Sequence, residues 1–215
     1  MSFHYYGLIA SLPYLSNDFS LDRLPISRSA LKSRLRGLSL EDREQLWVVI
    51  NFHERLYSIT SYDDKQVVRM IEEATQKVTH PEIKTLFQRD VNLLIIIAAL
   101  RQRLAARGPV LPTGEVGEHI RYNWQQPDFS LAARFTWIPE VRELLAQGKV
   151  LEVERRIDQV RWQYAVELVQ SDPFTLGAIA AYLGKWDILY RWSQVDEAEG
   201  QQRFDELVGE ILQRA

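Results

Sequence analysis

The sequence predicts an all-α fold, an elongated protein of about two antiparallel helical-bundle lobes. Three observations predict it. Apolar residues recur at the i, i+3, i+4 spacing of a helix face along most of the chain; Ser, Thr and Asp stand where helix starts need a side-chain acceptor; and one Gly- and Pro-rich interruption divides the pattern. That interruption, residues 108–127, opens with GPVLPTGEVGEH, which gathers three glycines and two prolines. It reads as a connector between an N-terminal helical lobe of residues 1–107 and a C-terminal helical lobe of residues 128–215, with one continuous domain as the alternative.

Tyr5, Leu8, Ile9 and Leu12 form a helical stripe that Pro13 ends, with a short strand over residues 3–8 as the alternative. Ser27 caps a helix that runs to Arg36 and stops at Gly37. Ser39 caps the next, with Asp42 in the acidic position of a capping box, and this helix buries Leu46, Val49 and Ile50, with Phe52 and Leu56 on the same side. Asp63 and Asp64 start a helix at Lys65 through its dipole, and Val67, Met70, Ile71 and Ala74 give its apolar face. Thr79 and Glu82 resemble another capping box, ahead of a long helix to Arg107.

Beyond the connector, residues 129–137 read as a short helix. Pro139 opens another that Gly148 stops, and Val150 to Val169 forms a long one with the stripe Val153, Ile157, Val160, Tyr164 and Leu168. Asp172 and Pro173 have the chemistry of an N-cap and a first helical residue. The helix they open sets Tyr182, Trp186 and Tyr190 on one face. A closing amphipathic helix follows, with Phe204, Leu207, Val208, Ile211 and Leu212 on its core side.

Composition narrows the function classes. Lys and Arg total 26 against 29 Asp and Glu, a net charge of -3 that gives no general pull toward nucleic acid or anionic lipid. The absence of cysteine excludes disulfides, thiolate metal sites and cysteine nucleophiles. The apolar run Val91–Leu100 is far short of the roughly 20 residues that span a bilayer. MSFHYYGLIASLPYL has no basic region ahead of its apolar residues and does not read as a secretory signal, so the expectation is a cytoplasmic protein.

Local spacing yields no enzyme machinery. His4, His53, His80 and His119 lie far apart, and His53-Glu54 begins like a zinc-binding helix but has Tyr57 where the second histidine belongs. Gly108, Gly114 and Gly117 lack the Lys-Ser or Lys-Thr of a phosphate loop. Asp187 and Arg191 read as a surface pair. Two basic clusters remain, Arg28, Lys32, Arg34 and Arg36, and Arg101, Arg103 and Arg107. Each either complements a helix carboxyl end or docks an acidic protein partner. The expectation is a protein without catalytic residues, cofactor or metal.

Three blocks carry a family resemblance: Tyr5-Tyr6-Gly-Leu-Ile-Ala-Ser-Leu-Pro13; Phe87 to Arg103, in which the apolar stretch from Leu93 ends on Arg101 and Arg103; and Phe174 to Leu212, with Pro173, Phe174, Ala181, Tyr182 and Leu183. They resemble the C-subunit-like family associated with bacterial V/A-type ATPases, relatives of the central-stalk C protein that is called d in eukaryotes. The resemblance implies a non-enzymatic coupling or connector component, cytoplasmic and peripheral to the inner membrane through the complex. It would sit between the membrane rotor ring and the central shaft, with no nucleic acid, no membrane span of its own and no small-molecule substrate. Alternatives are an assembly adaptor for that ATPase or an unrelated helical interaction module. Arginine and aromatic residues are favoured interface anchors, so Arg101, Arg103, Trp186, Tyr190, Arg191 and Trp192 are the expected partner-binding residues.

Overall fold

The computed structural model describes residues 5–19, 24–58, 63–109, 111–170 and 172–213, the side chains of 57–58 and 195–213 excepted. Among them are nine α-helices and no strand: α1 (Tyr6–Ser11), α2 (Arg28–Arg34), α3 (Leu40–Ser58), α4 (Asp64–Lys77), α5 (Pro81–Leu104), α6 (Gly114–Tyr122), α7 (Ile138–Ala146), α8 (Val150–Val169) and α9 (Leu176–Gln213). The expected all-α class is observed.

Several helix starts follow the sequence chemistry. The Ala30 N–H donates to Ser27 Oγ at 3.3 Å, and α2 tightens into a 3₁₀ turn at Leu35–Gly37. The Asp42 N–H donates to Ser39 Oγ at 3.1 Å, one half of the expected capping box. The other half runs through a third residue. The Ser39 N–H donates to Tyr5 Oη at 3.3 Å, and the Tyr5 hydroxyl donates to Asp42, which ties the chain's opening to the start of α3. Burial and this bond to Asp42 both push the Tyr5 phenol above its usual range. Asp63 caps α4 by accepting from the Lys65 N–H at 3.2 Å, while Asp64 accepts from Gln102 on α5. Gly148, at φ +70, follows the end of α7 where a left-handed residue is needed.

Four local expectations are corrected. The Thr79–Glu82 capping box does not form, because its groups are used elsewhere. Gln45 on α3 accepts from the Thr79 and His80 N–H groups at 2.8 and 3.0 Å, and Glu82 caps a different helix, α9. Residues 108–127 contain α6, whose Val116 and Ile120 are buried. Gly117 serves close packing there, since a Cβ would lie 3.3 Å from the Pro112 carbonyl carbon. Residues 129–137 form successive turns in place of a helix, because Phe129 and Ser130 are left-handed at φ 53 and 56. Phe129 nevertheless has a fully buried ring stacked on Trp124 at 5.4 Å. Finally, the last segment is one helix of 38 residues in place of a pair, and it starts at Leu176, later than Asp172 implies. Asp172 accepts from the Phe174 N–H at 2.9 Å and closes a turn, whereas Thr175 Oγ1 accepts from the Ala178 N–H. The stripe at Phe204, Leu207, Val208, Ile211 and Leu212 lies outside the described side chains, and residues 3 and 4 lie outside the described structure.

α5 is the centre of the bundle. Its Ile83, Phe87, Val91, Leu93, Ile96, Ala99 and Leu100 are all buried, in one apolar cluster that runs from Leu38 to Ala180 and includes Val116 and Ile120 of α6. α8 lies antiparallel to α5, as Arg89 pairs with Glu167 at 3.0 Å and Arg101 with Glu154 at 3.1 Å. α9 packs on both. No helix among the described residues is long and apolar enough to cross a membrane.

Candidate functional site

α9 holds four of the six expected partner-binding residues, Trp186 and Tyr190 toward residues 24–31 and Arg191 and Trp192 in the seam with α8, and most of their polar groups are spent internally. Trp186 is buried, with its Nε1–H donating to the Ile26 carbonyl at 2.8 Å and its ring stacked on Tyr190 at 5.1 Å. Tyr190 is half-buried and lies 5.9 Å from the Arg28 guanidinium. Arg191 Nη2 and Trp192 Nε1 both donate to Asp158, one to each carboxylate oxygen and each at 2.8 Å. The expected Asp187–Arg191 pair is present at 3.4 Å, but it is the longer of the two bonds Arg191 makes to aspartates. Tyr182, one turn before Trp186, has a hydroxyl buried away from any hydrogen-bond partner.

Asp158 is 1% exposed, the most deeply buried charged group among the described residues. A carboxylate so placed is costly unless paired and hydrogen-bonded. Its pairing extends across four helices. Arg161 lies 3.7 Å from Asp158 and 3.7 Å from Asp90 on α5, and Asp90 lies 3.5 Å from His53 Nε2 on α3. The other ring nitrogen of His53 contacts the Val49 carbonyl at 3.0 Å, which makes Nδ1 the donor and turns Nε2 toward Asp90. Burial holds the His53 imidazole below its ordinary pKa of 6.5, outweighing the upward pull of Asp90. A run of polar contacts thus crosses the bundle from His53 to Arg191, charged from Asp90 through Arg161 and Asp158 to Arg191.

Sequence reasoning missed Asp90, Asp158 and Arg161, though one signal marks Asp158. Besides the stripe of Val153, Ile157 and Val160, α8 buries a second row, Asp158, Trp162 and Ala165, at i, i+4 and i+7. An acid inside a second apolar row must meet cations or donors from a neighbouring helix.

The two arginines on α5 are kept apart from this seam. Arg101 is half exposed and pairs with Glu154. Arg103 donates to the Gln126 and Pro127 carbonyls and lies 5.1 Å from the Phe129 ring and 5.8 Å from Trp124, so it clamps the turns after α6. Large apolar side chains do remain exposed near Arg101: Leu104 one turn on, and Val150 and Leu151 one turn before its partner Glu154. Among the described residues no group of three or more His, Asp or Glu converges as a metal cage.

The first and third blocks singled out in the sequence meet, and the helix that bears the second reaches the third through Glu82, ahead of that block. The Tyr5 N–H donates to the Phe174 carbonyl at 2.7 Å, and the Tyr6 and Phe174 rings lie 4.5 Å apart. Glu82, on the first turn of α5, accepts from the Thr175 hydroxyl at 2.8 Å and from the Gly177 N–H at 2.9 Å. No curated protein and no solved structure matches the chain. Residues 73–214, from the second half of α4 through α9, match the model of a family described as "Protein of unknown function (DUF2764)", and the chain belongs to that family.

Proposed function

We propose that this protein is a non-enzymatic coupling component of a bacterial V/A-type rotary ATPase, placed between the membrane rotor ring and the central shaft. In that role it is cytoplasmic and peripheral to the inner membrane, in a C-subunit-like arrangement in which residues 1–107 and 128–215 pack as one continuous domain around α5. The observation that carries the reading is that the first and third C-subunit-like blocks meet and that the helix bearing the second caps α9. Tyr5 and Tyr6 meet Phe174 just ahead of α9, and Glu82, on the helix that bears Leu93 to Arg103, caps the N-terminus of α9. A second observation is favourable to a part that transmits force: polar pairs and caps join α3, α5, α8 and α9, and packed interiors are barely compressible.

Of the expected anchors, Arg101 has the most free surface. Leu104 lies one turn from it and Val150 and Leu151 one turn from its partner Glu154, all exposed, and apolar residues beside charged ones are the composition of an interface core with a polar rim. Affinity purification of the tagged full chain from its own cells tests the proposal. Other proteins of the ATPase are expected to co-purify, and Arg101→Glu is expected to reduce their recovery while the circular dichroism stays helical. Purification without any part of the ATPase contradicts the reading. Equal recovery with Arg101→Glu removes Arg101 from the contact.

A further inference from the structure

Trp162 on α8 and Lys185 on α9 are both buried, and both point a donor at chain that is neither helix nor strand. Trp162 Nε1–H donates to the Asn17 carbonyl at 3.1 Å, and Lys185 Nζ donates to the Ser16 carbonyl at 3.0 Å. The two acceptors are consecutive main-chain carbonyls. The Lys185 ammonium also lies 5.2 Å from the centre of the Trp162 ring, and Phe19 meets that ring edge-on at 5.6 Å and 88°. Two donors therefore read the backbone of a short segment while an aromatic surface receives its side chain. Such a site recognises an extended peptide by its main chain, with apolar contacts supplying selectivity.

Residues 13–19 fill this site without being built into the main core. Leu15 and Phe19 pack on a small separate cluster of Trp162, Ile188 and Leu189, and Leu15 also on one of Ile26, Leu31 and Trp186, whereas α1 ahead of them packs on the large cluster. Among the described residues no backbone ladder joins residues 13–19 to a helix, and Tyr14 is 81% exposed. The closed state also holds an unfavourable group. Among the described residues no carboxylate pairs with the Lys185 ammonium, and burial depresses its pKa. Withdrawal of the segment would return that cation to water.

We propose that α8 and α9 carry a peptide-binding site, built on Trp162 and Lys185 and occupied in cis by residues 13–19, and that this segment detaches while the helical bundle stays folded. Its ligands are extended segments that offer two successive free carbonyls and an aromatic residue two or three positions beyond them. Regions with few core contacts open at a lower free energy than the core, and exchange measurements resolve the difference.

The test is hydrogen exchange by NMR on the full chain, comparing the Trp162 indole N–H with the backbone amides of α5. The Trp162 proton is expected to exchange at least about tenfold faster, relative to its intrinsic rate, than the slowest α5 amides. Phe19→Ala should accelerate the Trp162 proton about tenfold further and leave α5 unchanged. A synthetic peptide of residues 13–19, added to Phe19→Ala protein, should slow the proton again in a saturable manner. Exchange of Trp162 in step with α5 in the unaltered chain overturns detachment. Failure of the peptide to slow exchange overturns the site, and if Phe19→Ala does not fold, the segment belongs to the core and the proposal fails.

Discussion

Asp158 sets the terms at the scale of single residues. At 1% exposure it is tolerated because Arg191 and Trp192 each give it a bond of 2.8 Å and Arg161 stands 3.7 Å away. Removing one member of a buried pair leaves the remaining charge desolvated, so Asp158→Ala is expected to cost about 3–5 kcal/mol in urea unfolding. A loss under about 1 kcal/mol would mean that water already screens the site. His53 gives a pH signature with a definite sign. The unfolded chain protonates near pH 6.5, while burial holds the folded imidazole below that value. Stability is therefore full above pH 6.5 and is lost as pH falls from there through the folded pKa. Thermal melts between pH 7.5 and 5.5 should show this decline in the native protein and a flatter profile in His53→Gln. Equal slopes would assign the decline to other groups.

Elements are held by groups supplied from far along the chain. Gln45 on α3 accepts from the two residues that lead into α5, and Glu82 on α5 accepts from the first turn of α9. This explains which helix starts were legible. Ser27, Ser39 and Asp63 cap within three residues of themselves, so local spacing reveals them. The start of α5 and the Glu82 cap on α9 involve partners 34 and 95 residues away, which no window of sequence contains, although Thr175 also caps α9 locally. The turns at 129–137 were illegible for a related reason, because Phe129 takes a left-handed conformation under the Arg103 clamp. Gly177 makes the trans cap testable. A Cβ there would lie 2.8 Å from Glu82 Cδ, so Gly177→Ala must push the carboxylate off its two donors. Glu82→Ala and Gly177→Ala should each cost about 1–3 kcal/mol. With the carboxylate gone, the alanine is neutral or gains up to about 1 kcal/mol from helix propensity, so the double variant costs less than the two single losses together. Additive losses in a denaturant cycle would contradict the trans cap.

At the scale of the whole molecule, the all-α class was readable because helical periodicity persists through α3, α4, α5 and α8. Within the site, Arg191 and Trp192 stand out in the sequence as unusual, but their use does not. Spacing points Arg191 at Asp187 four residues away, whereas the fold brings it Asp158, a stronger partner from another helix. The run of polar contacts from His53 to Arg191 and the contacts of the opening and α5 with the start of α9 describe a body whose helices are tied laterally as well as packed. That construction is what a part passing torque between two partners requires. The most direct measurement of this role is mass-spectrometric quantification of the chain in intact rotary ATPase purified from the same cells. A coupling component is predicted to remain at a fixed stoichiometry, about one copy per central shaft, in preparations that still couple ion flow to nucleotide hydrolysis. Fully coupled enzyme that lacks the chain would contradict the account.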